Sequence, residues 1–277
     1  MQWGIGSYSL AWNVGVPGYD KPARPVTAMG LLELAREYGV GIVQYADNMP
    51  LGGLAGDELD RLAAQAKSWG IALELGTRGT SPDLLLRELD IASRIGSPIL
   101  RTLITEADLD VARSHIRTVL PELESRGITL AVENHGLHTT KQLSGLFDSL
   151  GSAYVGCCLD TVNSFGALEA PDTVIRALVP YIANLHLKDF DVKRIDHQMG
   201  FVVTGTATGA GRLDMDLLFA ELDARDKRPT AIVELWVPYA GTVEDTCLLE
   251  REWLDASIAY MRTKLAKPSN SSRNERA

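Results

Sequence analysis

Glu133 in LAVENH, Asp160 in CCLDTVN, His186 in NLHLKD and Glu234 in AIVELW are three carboxylates and an imidazole, each closing a short apolar run. Brought together, the three acids would repel and raise one another's pKa unless a positive charge sat among them. Such a set can hold one divalent cation. Its oxygen-rich donors suit Mn2+ or Mg2+ better than structural zinc. Taken singly, a Glu ending a strand is more often a rim or ion-paired group, and a His beside apolar residues is more often hydrogen-bonded core. It is their succession in four consecutive runs that points to a metal.

Other polar residues share these positions. Residues two apart on a strand face the same way, so His135 joins Glu133 and Lys188 joins His186. Asn163 follows Asp160 by three residues, and Arg101 lies in ILRTL and Arg78 in LGTRG. Arg101, His135, Asn163 and Lys188 are the candidate substrate contacts. Inward-facing cations in a chain of net charge -9 would suit a substrate with a carboxylate or phosphate. Gln44, Asp47 and Glu74 would suit hydroxyl groups instead. Cys157, Cys158 and Cys247 are odd in number and lack CxxC spacing, so reduced, buried thiols are expected rather than disulfides or zinc.

The elements that must position these groups follow one repeating grammar. Helical segments close at Gly39, Gly70, Gly96 and Gly127, where Gly can adopt the left-handed conformation, and each is followed by an apolar strand. Eight strands are predicted, at residues 3–7, 41–46, 71–75, 98–103, 128–133, 154–160, 182–187 and 230–235. Amphipathic helices fall between them, as at 28–38, 58–69, 84–95 and 109–126. Strict alternation predicts a parallel sheet with right-handed crossovers, and eight units close most naturally into a (β/α)8 TIM barrel, with an open doubly wound sheet as the alternative. The ligand candidates then lie at the C-terminal ends of the last four strands, the face where barrels carry their chemistry. A Gly- and Thr-rich connection at 189–212 and a Pro- and Gly-rich stretch at 14–25 are expected to wall the barrel mouth, the first as a closing loop.

The chain of 277 residues, 45% hydrophobic and 23% charged, fits one barrel domain over 1–266 and a polar, disordered tail at 267–277. Its acidic balance disfavours nucleic acid and anionic membranes. No run is long enough for a membrane span and no signal peptide is evident, so a cytoplasmic protein with a small-molecule partner is expected. A homo-oligomer stays open.

The ordered set VENH, LDTVN, HLKD and VELW resembles that of the xylose isomerase-like barrel proteins, or sugar phosphate isomerases/epimerases, over roughly residues 1 to 265. That family includes tagatose and psicose 3-epimerases, hydroxypyruvate isomerase, inosose dehydratase and endonuclease IV. The resemblance implies that Glu133, Asp160, His186 and Glu234 bind one divalent metal, Mn2+ first and Mg2+ or Co2+ as alternatives. It also implies that Glu133 and Glu234 move protons as catalytic residues. The expected activity is a metal-dependent isomerase or epimerase of a small polyhydroxylated carbonyl compound, a keto-sugar or sugar acid, acting through an enediolate that the metal stabilises. Where many relatives carry a His three residues after the Asp, this chain has Asn163, while His135 matches the dehydratase-like branches. These departures keep a lyase of the same fold as the alternative, either a decarboxylase of a 3-oxo sugar acid or a dehydratase of a keto-inositol-like compound. With only five His and an acidic balance, the chain does not fit the three-zinc endonuclease pattern.

Overall fold

In the computed structural model of the protein, residues 1–266 are described, and the tail expected at 267–277 lies outside them. Eight parallel strands close into a barrel in the order β1, β10, β7, β6, β5, β4, β3, β2. They are β1 (Trp3–Gly6), β2 (Ile42–Tyr45), β3 (Ala72–Gly76), β4 (Ile99–Leu103), β5 (Thr129–Glu133), β6 (Val155–Asp160), β7 (Ile182–Leu187) and β10 (Thr230–Val233). Both faces of these strands are covered, which is why their sequences read as apolar runs and not as alternation. The principal helices around them are α2 (Ala28–Glu37), α3 (Gly56–Trp69), α4 (Pro82–Ile95), α5 (Leu109–Arg126), α6 (Thr140–Leu150), α7 (Pro171–Leu178), α8 (Met215–Ala224) and α9 (Val243–Ala266), after a single turn α1 (Ala11–Val14). Gly70, Gly96 and Gly127 end α3, α4 and α5 at φ of 69°, 70° and 65°, a conformation costly for any residue with a Cβ.

The main core lies between the outer faces of the strands and the helices, where Leu31, Leu85, Ile116, Leu146, Ile175, Leu218 and Leu254 are fully buried. A second, small cluster of Ile99, Ala131 and Cys158 fills the barrel interior. The two-residue period sends Arg101, Glu133 and Asp160 inward directly above those three. The register from β6 to β7 steps over Ala183, pairing Cys157 with Ile182 but Cys158 with Asn184. That irregularity brings Asp160 level with His186, and β10 sets Ile232 beside His186 on the other side.

The irregular loop expected at 189–212 is instead a two-stranded antiparallel ribbon of β8 (Asp189–Arg194) and β9 (Phe201–Thr206). The Gly and charged residues mask the alternation of Phe190, Val192 and Val203, and Gly205 permits close approach to the Trp236 backbone. Its root is pinned by Asp189. One carboxylate oxygen accepts the backbone N–H of Gly209 and Gly211 at 2.9 and 3.0 Å, and the other those of Phe190 and Leu213 at 2.8 and 3.0 Å. The stretch 14–25 packs by Tyr19, whose ring lies 4.8 Å from Trp12 and 4.9 Å from Tyr239 between centroids, an aromatic wall outside the strands. Among the described residues no helix is long and apolar enough to cross a membrane.

Candidate metal centre

All four sequence-predicted ligands meet at the C-terminal end of the barrel, each with at most 2% of its surface exposed. Nδ1 of His186 lies 3.1 Å from Glu133 Oε2 and 3.3 Å from Glu234 Oε1. Yet neither that nitrogen nor either oxygen of Glu234 has a hydrogen-bond partner. Buried polar atoms left this way are costly. Around a cation with bonds of about 2.1 Å, adjacent donors sit roughly 3 Å apart, which is the spacing found here. The donor atoms of Asp160, His186 and Glu234 lie within 4.8 Å of one another, as do those of Glu133, Cys158 and His186. The residues present therefore fit a divalent cation.

The imidazole is oriented from below. Its Nε2 lies 2.7 Å from Gln44 Oε1, which can only accept, so Nε2 carries the proton and Nδ1 keeps its lone pair for a cation. The Gln44 amide is fixed in turn, donating to Glu74 Oε2 at 3.0 Å and Asn184 Oδ1 at 3.1 Å, while Asn184 donates to Glu74 Oε2 at 3.0 Å and Thr230 Oγ1 at 2.8 Å. Burial pushes the Glu74 carboxyl up. Gln44 and Glu74, expected to bind hydroxyls, are thus spent beneath the ligands, each 1% exposed. Replacing Gln44 with Leu is expected to weaken Mn2+ binding about 10- to 100-fold. A titration giving an unchanged affinity would refute this role.

Arg101 also departs from expectation. Its side chain is 3% exposed, with Nε donating to Glu133 Oε2 at 2.5 Å and Nη1 to Asp47 Oδ1 at 3.0 Å and Thr77 O at 3.1 Å. It clamps Glu133 from inside the barrel and is not an open substrate contact. Arg78, by contrast, is exposed. Asn163 donates to Glu133 Oε1 at 2.7 Å and lies 3.0 Å from His135 Nδ1, which is itself 3.1 Å from Glu133 Oε1. Both oxygens of Glu133 are therefore engaged. Burial pushes its carboxyl up, but Arg101 and His186 outweigh that and hold it well below the usual carboxylate range.

Lys188 enters the cluster from the same face as His186. Its Nζ donates to Asp160 Oδ2 at 2.7 Å and lies 2.8 Å from Glu234 Oε2 as a charge pair out of hydrogen-bond alignment. Burial would push the ammonium down; Asp160, Glu234 and Glu133 together raise it. Asp160 Oδ1 accepts the backbone N–H of Val162 and Asn163, each at 2.8 Å.

Acid should therefore dismantle the centre in order. Burial raises the Asp160 carboxyl, Lys188 opposes this, and Glu133 and Glu234 add to the rise. Without a cation, this raised pKa stabilises the fold at low pH, and that stability is lost as pH rises through the folded value. A bound cation offsets that loss near neutrality. The gain in melting temperature given by Mn2+ is expected to be full near pH 7 and to shrink as pH falls through the raised Asp160 value, while Glu133 keeps its charge further into acid. A gain that stays constant from about pH 7 to about pH 4 would contradict this.

Several neighbours escaped the sequence. Asn134 locks the end of β6: its Oδ1 accepts Asp160 N–H at 2.8 Å, and its Nδ2 donates to Asp160 O at 2.8 Å and Ser164 Oγ at 2.9 Å. Tyr8 donates to Asp47 Oδ2 at 3.3 Å, and its hydroxyl is pushed up to about 12 by burial and Asp47. Asn184 carried a readable signal, since it precedes His186 by two residues on one strand. Cys157 and Cys158 are buried as expected, but Cys247 is only partly covered. Burial raises the Cys157 and Cys158 thiols well above the ordinary value.

A closed parallel barrel with carboxylates and an imidazole gathered on the ends of its last four strands defines a TIM barrel with a candidate metal centre. Comparison with known proteins makes this more specific: residues 16–264 match the xylose isomerase-like TIM barrel family, and the chain belongs to it. It is 33% identical over 265 residues to a 3-oxo-isoapionate decarboxylase of Pectobacterium atrosepticum, covering 94% of this chain and 95% of that protein. A D-psicose 3-epimerase structure superposes with a TM-score of 0.71 at 16% identity, covering 96% and 100% of the two chains. A xylose isomerase-like barrel from Mycobacterium smegmatis in complex with magnesium superposes with a TM-score of 0.63 at 14% identity, covering 93% and 97%. Relatives thus include enzymes of more than one reaction type.

Proposed function

We propose that this protein is a divalent-metal-dependent decarboxylase of a 3-oxo sugar acid, with Glu133, Asp160, His186 and Glu234 as the ligands. The observation that carries the reading is the placement of Lys188, an ammonium inside the ligand cluster at 2.7 Å from Asp160 and 2.8 Å from Glu234. The decarboxylase relative, alike over nearly the full length of both chains, supports it. The isomerase or epimerase reading requires Glu133 and Glu234 to trade protons with carbon. Glu133, with both oxygens engaged and its carboxyl held well below the usual range, is a poor base.

In a 3-oxo acid the bond from the carboxylate carbon to C2 breaks, its electron pair passes into the 3-oxo carbonyl, CO2 leaves, and a proton is returned to C2. No base is needed. Glu133, Asp160, His186 and Glu234 would hold a divalent cation, Mn2+ first and Mg2+ or Co2+ as alternatives, which when bound would supply a Lewis acid for the carbonyl oxygen. Lys188, whose ammonium lies between Asp160 and Glu234 at the C-terminal end of the barrel, holds the substrate carboxylate and then faces the carbon that CO2 has left. It delivers its proton there and regains one from solvent. Arg101 keeps Glu133 ionised and in place, and Asn163 and His135 cover that carboxylate toward the mouth.

A 3-oxo sugar acid incubated with the metal-loaded enzyme in D2O should give a product one carbon shorter, one CO2 per turnover and a single carbon-bound deuterium. A product that keeps every carbon would overturn the proposal in favour of an isomerase.

A further inference from the structure

Below the expected ligands, the barrel interior holds a group that decarboxylation does not use. Cys158 precedes Asp160 by two residues on β6, facing the same interior about 6–7 Å deeper along the strand. It is fully buried over the floor formed with Ile99 and Ala131, and its Sγ lies 3.3 Å from Asn184 Oδ1. The step over Ala183 is what turns β7 so that Asn184, and not Ala183, stands opposite this thiol. Sulfur from Cys158, oxygen from Glu133 and nitrogen from His186 fall within 4.8 Å of one another. The donor that the two seats share is unspent: fully buried His186 Nδ1 has no hydrogen-bond partner, while Nε2 is committed to Gln44.

We propose that Glu133, Cys158 and His186 form a second, deeper cation seat that takes thiophilic ions such as Zn2+ or Cd2+ and excludes occupancy of the upper seat. The exclusion follows from geometry. Both sets require His186, so one imidazole lone pair serves either an upper ion with Asp160 and Glu234 or a lower ion with Cys158. Softness sorts the ions: thiolate favours zinc and its heavier relatives, whereas the carboxylates above favour Mg2+ and Mn2+. An ionised carboxylate offers about four acceptor positions, and Arg101, Asn163 and His135 take three of those on Glu133, leaving one for a cation. As the sulfur–cation bond forms, the thiol proton leaves to solvent and no electron is transferred. Cys158 thereby makes the centre a discriminator, in which a hard ion sits beside Lys188 and a soft ion is drawn down, taking His186 with it. The inference rests on the proposed metal reading for the shared Glu133 and His186.

The test is spectroscopic. Metal-free protein titrated with Cd2+ should develop the ultraviolet sulfur-to-cadmium charge-transfer absorption at one ion per chain, and Cys158→Ser should abolish it and weaken Cd2+ binding about 10- to 100-fold. Mn2+ binding, read by electron paramagnetic resonance, should change less than about threefold in the same variant, which also reports that the barrel has folded. Cys158→Ala serves if the serine variant does not fold. His186→Ala should lose the cadmium band as well, and saturating Mn2+ should delay its appearance in the wild type. A band that survives in His186→Ala, or Cd2+ binding equally tight in Cys158→Ser and wild type, overturns the deeper seat while leaving the upper one standing. Failure of Mn2+ to bind wild type would sink the metal reading itself, a distinct result.

Discussion

Lys188→Met should lower CO2 release by about 10²- to 10⁴-fold while leaving Mn2+ binding intact or tighter. Methionine approximates the length of the aliphatic stem but removes the ammonium that meets Asp160 and Glu234 at 2.7 and 2.8 Å. Two consequences separate. Metal-free protein loses the only cation facing both carboxylates among the described residues, so its melting temperature should fall, and an added divalent ion should restore more than it does in wild type. Turnover at saturating metal, in contrast, should stay low, because the proposed reaction relies on the missing group to hold the substrate carboxylate and return the proton. Calorimetric titration with Mn2+ and a CO2 assay on one preparation distinguish the two. A variant that turns over at the wild-type rate removes Lys188 from the reaction.

The second large effect belongs to the two proposed ligands that have no proton-transfer role. Asp160→Ala and His186→Ala should each reduce bound metal after chelator treatment and reconstitution to background, and with it CO2 release. His186 matters for a geometric reason: it stands between Glu133 and Glu234, 3.1 and 3.3 Å from them, whereas the His135 imidazole meets Glu133 at its other oxygen. Asp160 matters because its other oxygen is held by two backbone N–H groups, which leaves Oδ2 aimed at the centre. Metal content by mass spectrometry is the direct readout. Stoichiometric metal and full activity in Asp160→Ala would sink the assignment.

Much of this architecture could be read from the sequence because it is local. A Gly that needs positive φ, an apolar run of strand length and an acid at the end of that run lie within a few residues of one another, and their succession predicts a closed barrel with its ligands on one face. Partnerships across the barrel could not be read. Arg101 looks like a rim cation until Glu133, 32 positions on, is seen to hold it, and Gln44 looks free until His186, 142 positions on, claims its oxygen. The ribbon was hidden for another reason. Its strands are held by each other and by the Asp189 carboxylate, so they need few of the residues that normally announce a strand. Asn134 and Tyr8 act through a backbone end and a loop acid, contacts that no periodicity records.

Closure of the barrel has a consequence for how the centre is born. Glu234 follows β10, the strand that pairs with β7 on one side and with β1 on the other, aligning Ala231 with Trp3. A nascent chain still emerging from the ribosome can carry Glu133, Asp160 and His186 but cannot seat the fourth ligand until its two ends have met, a contact with large loop-closure entropy. On the proposed ligand set, a cation would bind tightly only to the finished ring and would add its binding free energy to that last, most distant pairing. It would work as a lock on topology: metal uptake during refolding should report barrel closure itself, with chains halted before β10 remaining weak binders.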